Sequence, residues 1–117
     1  MEDCIFCKII NKEQKADIVY EGEKIIAFKD INPSAPVHIL IVPKKHIKSI
    51  IELKKEDASL IKDLIWRAKE IAKEKGLDKS GYKLVFNCGK GAGQVVDHIH
   101  LHLLGGWSNG SSKNIKV

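Results

Sequence analysis

Three of the five histidines stand at alternate positions, His98, His100 and His102, with Ile99, Leu101 and Leu103 interleaved. Successive side chains of an extended strand point to opposite faces, so this spacing predicts three imidazoles on one face and three apolar residues on the other. Two kinds of chemistry suit such a row. His-x-His pairs bind zinc, and a neutral imidazole is a competent nucleophile toward phosphorus at neutral pH. An extended strand from His98 to His102 covers roughly 13 to 14 Å, too far for one ion to hold all three, so the three must divide the work.

A second group of ligand-type residues opens the chain as Cys4-Ile5-Phe6-Cys7. A C-x-x-C pair is informative only when two further ligands complete it. His46 and one histidine of the row supply them, with His98 favoured as the fourth. Such a Cys2His2 set is closed and predicts a structural zinc. His100 and His102 then remain for chemistry, with His38 able to approach from another strand. The glycine-rich loop 89–94, Gly-Lys-Gly-Ala-Gly-Gln, offers main-chain N–H groups to an anion. A phosphate group fits this surrounding: an imidazole attacks phosphorus, while a positive charge on His102 and the loop N–H groups stabilise the non-bridging oxygens. That chemistry requires no metal. No G-x-S-x-G nucleophile or Walker-type loop competes with it.

These residues need elements to hold them. The β-prone runs 18–20 and 25–28 flank a Glu-Gly-Glu-Lys turn and predict a hairpin. The segment 30–36, with Pro33 and Pro36, breaks the pattern and predicts an extended loop able to line a site. Residues 37–43 predict a largely apolar strand that carries His38 near its start and ends at Pro43. A short helix is expected just after Cys4, and a strand at 82–88 before the glycine loop. Between them Ile61, Leu64, Ile65, Ala68 and Ala72 recur at helical spacing within 56–75 and predict one long amphipathic helix, with Gly76 as its stop. Trp66 lies off that stripe, where it would cover an edge or a subunit contact. Cys88 is read as packed, and the tail from Trp107 onward as an exposed polar end.

Composition narrows the function classes. A chain of 117 residues, 44% hydrophobic and 30% charged, predicts one soluble globular domain spanning 1–117. The net charge of +5 does not read as a nucleic-acid track, because the lysines alternate with acids at 54–57 and 69–75. No apolar run is long enough to span a membrane, and the start is acidic, unlike a signal peptide. The three cysteines, an odd number, suit a reducing cytoplasm.

The run His98-Ile99-His100-Leu101-His102-Leu103-Leu104 resembles the His-φ-His-φ-His-φ-φ signature of the histidine triad nucleotide-binding proteins, where φ is apolar. The likeness extends along nearly the whole chain. Residues 30–38, 42–47, Asn87 and Gly93-Gln94 fall in the order and spacing of the branch that contains purine nucleoside phosphoramidate hydrolases. The resemblance implies an α+β fold, a five-stranded antiparallel sheet with one long and one or more short helices, commonly extended across a homodimer. It implies that His100 attacks the α-phosphorus of a nucleoside 5′-phosphoramidate or related nucleotide, giving a nucleotidyl-histidine that water cleaves. His102 would hold the phosphate and His38 would support the nucleophile's surroundings. Asp30 would accept from ribose hydroxyls, Ile31 would flank the base, and Asn87 with the main chain of Gly93, Gln94 and Val95 would bind near the phosphate. Members with an N-terminal C-x-x-C place zinc as assigned above, on Cys4, Cys7, His46 and His98.

Two departures stand out. The phosphoramidate hydrolases typically carry a serine after the glutamine, where this chain has Val95, and the tail lacks their Pro-Pro-Gly ending. The leading expectation is a nucleotide hydrolase or nucleotidyl transferase. The alternative is a catalytically weak nucleotide-binding or protein-interaction module that kept the site.

Overall fold

The computed structural model describes residues 3–108 and 117, so the expectation of an exposed polar tail lies largely outside the described residues. The chain runs α1 (Ile5–Ile10), β1 (Ile18–Glu21), β2 (Ile25–Lys29), β3 (Val37–Pro43), α2 (Ala58–Glu74), α3 (Leu77–Ser80), β4 (Tyr82–Val85) and β5 (Leu101–Gly105). Short 3-10 turns occur at Ile50–Glu52, Lys55–Asp57 and Lys90–Ala92. The strands form one antiparallel sheet in the order β1-β2-β3-β5-β4, as the resemblance implied.

Period-two alternation gives the sheet two distinct apolar faces. Ile39 and Ile41 of β3 pair with Leu103 and Leu101 of β5, and these four point to one face with Ile25 and Ala27. That face is covered by α2, which contributes Leu64, Ala68, Ile71 and Ala72, all buried. The expected stripe is right except at Ile65, which is 44% exposed. Ile71 takes the place in the core that the helical spacing had given to Ile65. The helix stops at Gly76, whose φ of 73° is left-handed and strained for a residue with a Cβ.

The opposite face carries Phe28, Leu40, Val42, His38 and His102, because Leu40 faces His102 across the β3–β5 pair. The helix that leans on it is α1, through Phe6 and Ile9, with Ala16 and Val96 packed at its margins. Partial cover leaves room, and the candidate site residues His38, His100 and His102 border that room. Trp66 is exposed, with Lys69 Nζ 4.8 Å from its ring centroid, and borders a shallow pocket with Tyr20 of the edge strand β1.

Three element boundaries differ from expectation. The last strand begins only at Leu101, so His98 and His100 precede the ladder. His98 is instead held by a bend in which its N–H donates to Val96 O at 2.9 Å, and the next N–H, of Ile99, donates to Ile47 O at 2.8 Å. The strand expected over 82–88 ends at Val85, which removes Asn87 and Cys88 from the ladder. The glycine loop contains a 3-10 turn rather than a plain connection. Among the described residues no helix is long and apolar enough to cross a membrane.

Candidate active site and metal centre

Main-chain groups fix His98, His100 and His38, and His38 in turn fixes His102; the kind of group settles where each proton sits. A carbonyl oxygen only accepts, so a ring nitrogen bonded to one must carry the hydrogen. Pro43 O lies 2.7 Å from His98 Nε2, which leaves His98 Nδ1 with a lone pair. The carbonyl of His98 itself lies 2.8 Å from His100 Nδ1, which leaves His100 Nε2 with the lone pair. His38 is set in the opposite sense: the Ser34 main-chain N–H donates to its Nδ1 at 3.0 Å, so its Nε2 carries the hydrogen. That Nε2–H donates to His102 Nδ1 at 2.9 Å. His102 Nε2 is therefore an N–H donor, and among the described residues this buried atom has no partner. The fold thus sets a lone pair at His100 Nε2 and an unused N–H at His102 Nε2, with the two ring centroids 4.9 Å apart.

Burial keeps these rings neutral. It pushes His100 below the ordinary histidine range, against the opposing effect of the His98 carbonyl. His102 falls to about 4, from burial first and then from repulsion by His100 and His38. His38 is also lowered by burial, partly offset by Asp30. The expectation of a positive charge on His102 is therefore corrected. A side chain 7% exposed between two other imidazoles stabilises a neutral N–H donor, not a cation.

These rings open into a cleft of about 400 Å³. Its polar end is formed by His38, His100, His102, Asn87 and Gly93, and its mouth by Asp30, Ile31 and Val95. Ile31 is 88% and Val95 90% exposed, so both are rim residues free to meet a ligand. One carboxylate oxygen of Asp30 accepts from Asn32 N–H at 2.8 Å, and the other lies 3.5 Å from His38 Nε2. The apolar wall consists of Ile5, Phe6, Ile9, Phe28 and Leu40. Sequence reasoning missed this wall. Its signal was available, since Phe28 and Leu40 share strand parity with His38 and His102, and Phe6 and Ile9 lie one helical turn apart.

The glycine loop serves differently from expectation. Gly93 N–H donates to Lys90 O at 3.0 Å and Gln94 N–H to Gly89 O at 3.1 Å, so both amides are used inside the loop. The buried Gln94 side chain is a staple: its Oε1 accepts from Gly89 N–H at 2.8 Å, and its Nε2 donates to Lys48 O at 2.7 Å and Val96 O at 3.0 Å. Gln94 does not border the cleft. Of the three amides expected near the phosphate, that of Val95 has no acceptor among the described residues.

A second cluster joins the first through His98. Cys4 caps α1, its Sγ accepting from Cys7 N–H at 3.4 Å. The Cys4 Sγ lies 3.4 Å from His98 Nδ1, and Cys7 Sγ 3.2 Å from His46 Nδ1 and 3.6 Å from His98 Nδ1. The two Nδ1 atoms are 3.1 Å apart. Zinc bonds of about 2.3 Å to sulfur and about 2.0 to 2.1 Å to nitrogen give tetrahedral S–N and N–N edges of roughly 3.6 and 3.4 Å. The donor set therefore fits one tetrahedral ion. Burial, then the Cys4 thiol, raises Cys7 to about 11, as donors facing one another without a counter-charge must. Asp30, His38 and His102 also lie close enough to suggest a metal site. There, however, the His38 Nε2 proton occupies the space between the rings, and its position is dictated by Ser34 N–H. Cys88 stands apart, half-buried, its Sγ 4.0 Å from Phe86 O.

The family model described as "Scavenger mRNA decapping enzyme C-term binding" matches residues 3–117. Protein HitA of Neisseria gonorrhoeae is 46% identical over 105 residues, 90% of this chain and 97% of that protein. A HIT family hydrolase from Legionella pneumophila superposes with a TM-score of 0.88 at 50% identity, covering 91% of this chain and 95% of that one. A HIT family hydrolase from Clostridium thermocellum gives 0.90 at 48% identity over 94% and 96% of the respective chains.

Proposed function

Because the chain belongs to the histidine triad (HIT) family, we propose that it is a hydrolase or nucleotidyl transferase acting on purine nucleoside 5′-phosphoramidates or related nucleotide conjugates. The observation that carries this reading is the fixed proton placement at His100 and His102. His100 Nε2 attacks the α-phosphorus, forming a P–N bond to the enzyme as the bond to the leaving amine breaks. His102 Nε2–H donates to a non-bridging oxygen, with the Val95 main-chain N–H beside it. His38 holds His102 in its donor tautomer. The amine takes its proton from solvent, because the Val95 side chain has no hydroxyl to relay one. Water then cleaves the nucleotidyl-histidine, returning His100 and releasing the nucleoside monophosphate. Asp30 accepts from the ribose hydroxyls, Ile31 and the apolar wall hold the base, and Asn87 and Gly93 border the phosphate.

Cys4, Cys7, His46 and His98 hold a structural zinc in this reading. Thiol ligands of this kind suit a reducing cytoplasm. Metal analysis of protein purified without chelator should give about one zinc per chain, and less than about half would count against the site. The whole chain works as one domain. A homodimer is supported by β4, an edge strand with Leu84 exposed, and sedimentation of wild type against Leu84→Lys tests it.

The catalytic reading is tested by incubating the protein with adenosine 5′-phosphoramidate, following release of adenosine monophosphate and trapping the adduct by acid quench. Wild type should turn over and carry the nucleotide on His100. Equal inertness of wild type and His100→Ala across several nucleotide conjugates would overturn it. Val95 favours a second reading, a binding module with little turnover, and nucleotide affinity without any His100 adduct would support that one.

A further inference from the structure

The metal ligands and the nucleophile meet at two residues. His98 turns its Nδ1 toward Cys4, Cys7 and His46, while its own carbonyl accepts from His100 Nδ1–H at 2.8 Å. Phe6 lies between the two cysteines on α1 and packs edge-to-face on both rings. Its centroid is 5.9 Å from His98, at an interplanar angle of 70°, and 5.1 Å from His100, at 83°. Phe28 backs it at 5.4 Å. His100 is thus clamped by a hydrogen bond to the main chain of one ligand, His98, and by ring contact with Phe6, which stands between the two cysteine ligands.

We propose that Phe6 and the main chain of His98 are positioning groups through which occupancy of the Cys4–Cys7–His46–His98 centre sets the orientation of His100. The inference rests on the reading of His100 as nucleophile and of the four ligands as a metal site. Its physical basis is the unequal anchoring of the two halves of the centre. His98 is tied to the sheet side by Pro43 O and by the adjoining Ile99–Ile47 bond. Cys4 and Cys7 ride on α1, a helix of six residues, too short to be stable by its own hydrogen bonds. With no cation among them, the four donor atoms at 3.1 to 3.6 Å are joined only by weak thiol–imidazole and imidazole–imidazole contacts, and the half that yields is α1. Phe6 moves with it, and the ring of His100 loses the neighbour that fixes its tilt. The carbonyl of His98 still assigns the proton, but Nε2 no longer holds one direction. A displacement of about 1 Å at a reacting atom can cost on the order of 100-fold in rate.

The test uses protein labelled with isotopic nitrogen in histidine, in three forms: zinc-bound wild type, wild type stripped by a chelator, and zinc-bound Phe6→Leu. The Leu variant keeps every ligand and most of the apolar volume, so it answers the question even if stripped protein unfolds. NMR follows solvent exchange of the His100 Nδ1 proton, and steady-state kinetics with adenosine 5′-phosphoramidate separate kcat from KM. Zinc-bound wild type should show a slowly exchanging proton. Phe6→Leu, at full zinc content, should exchange it at least about 10-fold faster and lose on the order of 10- to 100-fold in kcat, with a smaller rise in KM. A role limited to stability would lower the melting temperature alone. Unchanged exchange and unchanged kcat in Phe6→Leu would overturn the proposal, as would wild-type exchange in stripped protein that remains folded by circular dichroism. If His100→Ala turned over as fast as wild type, the nucleophile reading would fail, while the exchange measurement would still decide whether Phe6 orients the ring.

Discussion

Acid should destabilise this protein through His102, beginning as pH falls below about 6.5. The ring is 7% exposed, and burial with two neighbouring imidazoles lowers it from 6.5 to about 4 in the folded state. The unfolded chain binds the proton first as pH falls, so the folded state is undisturbed above about 6.5 and loses stability between there and about 4. A separation of about 2.5 pKa units corresponds to roughly 3 kcal/mol in full, of which about 2 kcal/mol is already lost at pH 5. Urea unfolding of wild type and His102→Gln at pH 7 and pH 5, at one protein concentration, measures it. Glutamine keeps a polar group of similar reach without a titrating proton. The variant will be less stable than wild type at pH 7, where the chain around His38 is broken. Its further loss on going to pH 5 should be smaller than that of wild type by about 2 kcal/mol. Zinc release and the other histidines act in both proteins and largely cancel in the difference. Equal losses, within about 0.5 kcal/mol, would refute the claim that the fold keeps His102 neutral by burying it.

Three further outcomes follow from the geometry. Gln94→Leu leaves Gly89 N–H and Lys48 O without their partner and removes one of the two donors to Val96 O, and should cost about 2 to 3 kcal/mol in urea unfolding while weakening nucleotide binding through the displaced Val95 amide. Ile71→Ala empties a fully covered position on α2, on the sheet face away from the cleft, and should cost about 2 to 5 kcal/mol with an unchanged dissociation constant for adenosine monophosphate. Val95→Ser restores a hydroxyl at the cleft mouth and should raise kcat on a phosphoramidate by about 10-fold or more, and no change would show that the leaving amine departs elsewhere.

Periodic features were legible in the residues, and features set by distant main-chain partners were not. The alternation of Ile99, Leu101 and Leu103 with the histidines and the helical spacing from Leu64 to Ala72 translate directly into the two sides of one apolar layer. Cys4, Cys7, His46 and His98 were readable as a set because ligand chemistry admits few combinations, and the four converge as expected. The charge on His102 was misjudged because its neutrality comes from burial and from His38, neither of which is written near it in sequence. The glycine loop looked like an anion cradle because composition counts N–H groups without saying which are already bonded; Lys90 O and Gly89 O take two of them. Alternation placed Ile99 on the face of Leu101 and Leu103 although His98, Ile99 and His100 precede the ladder, and Ile99 does join those two leucines in the core.

The proton addresses in this site are written in main chain: Pro43 O for His98, His98 O for His100, and Ser34 N–H for His38. No side-chain substitution can delete a carbonyl, and only proline at position 34 would delete that amide. Under the proposed function, the cleft wall of Ile5, Ile9 and Leu40 and the rim at Ile31 and Val95 can therefore drift, trading one base or leaving group for another, without unsettling which nitrogen attacks and, while His38 is kept, which donates. Mutational paths between substrate preferences then need only follow the backbone's course, and reactivity is inherited separately from taste.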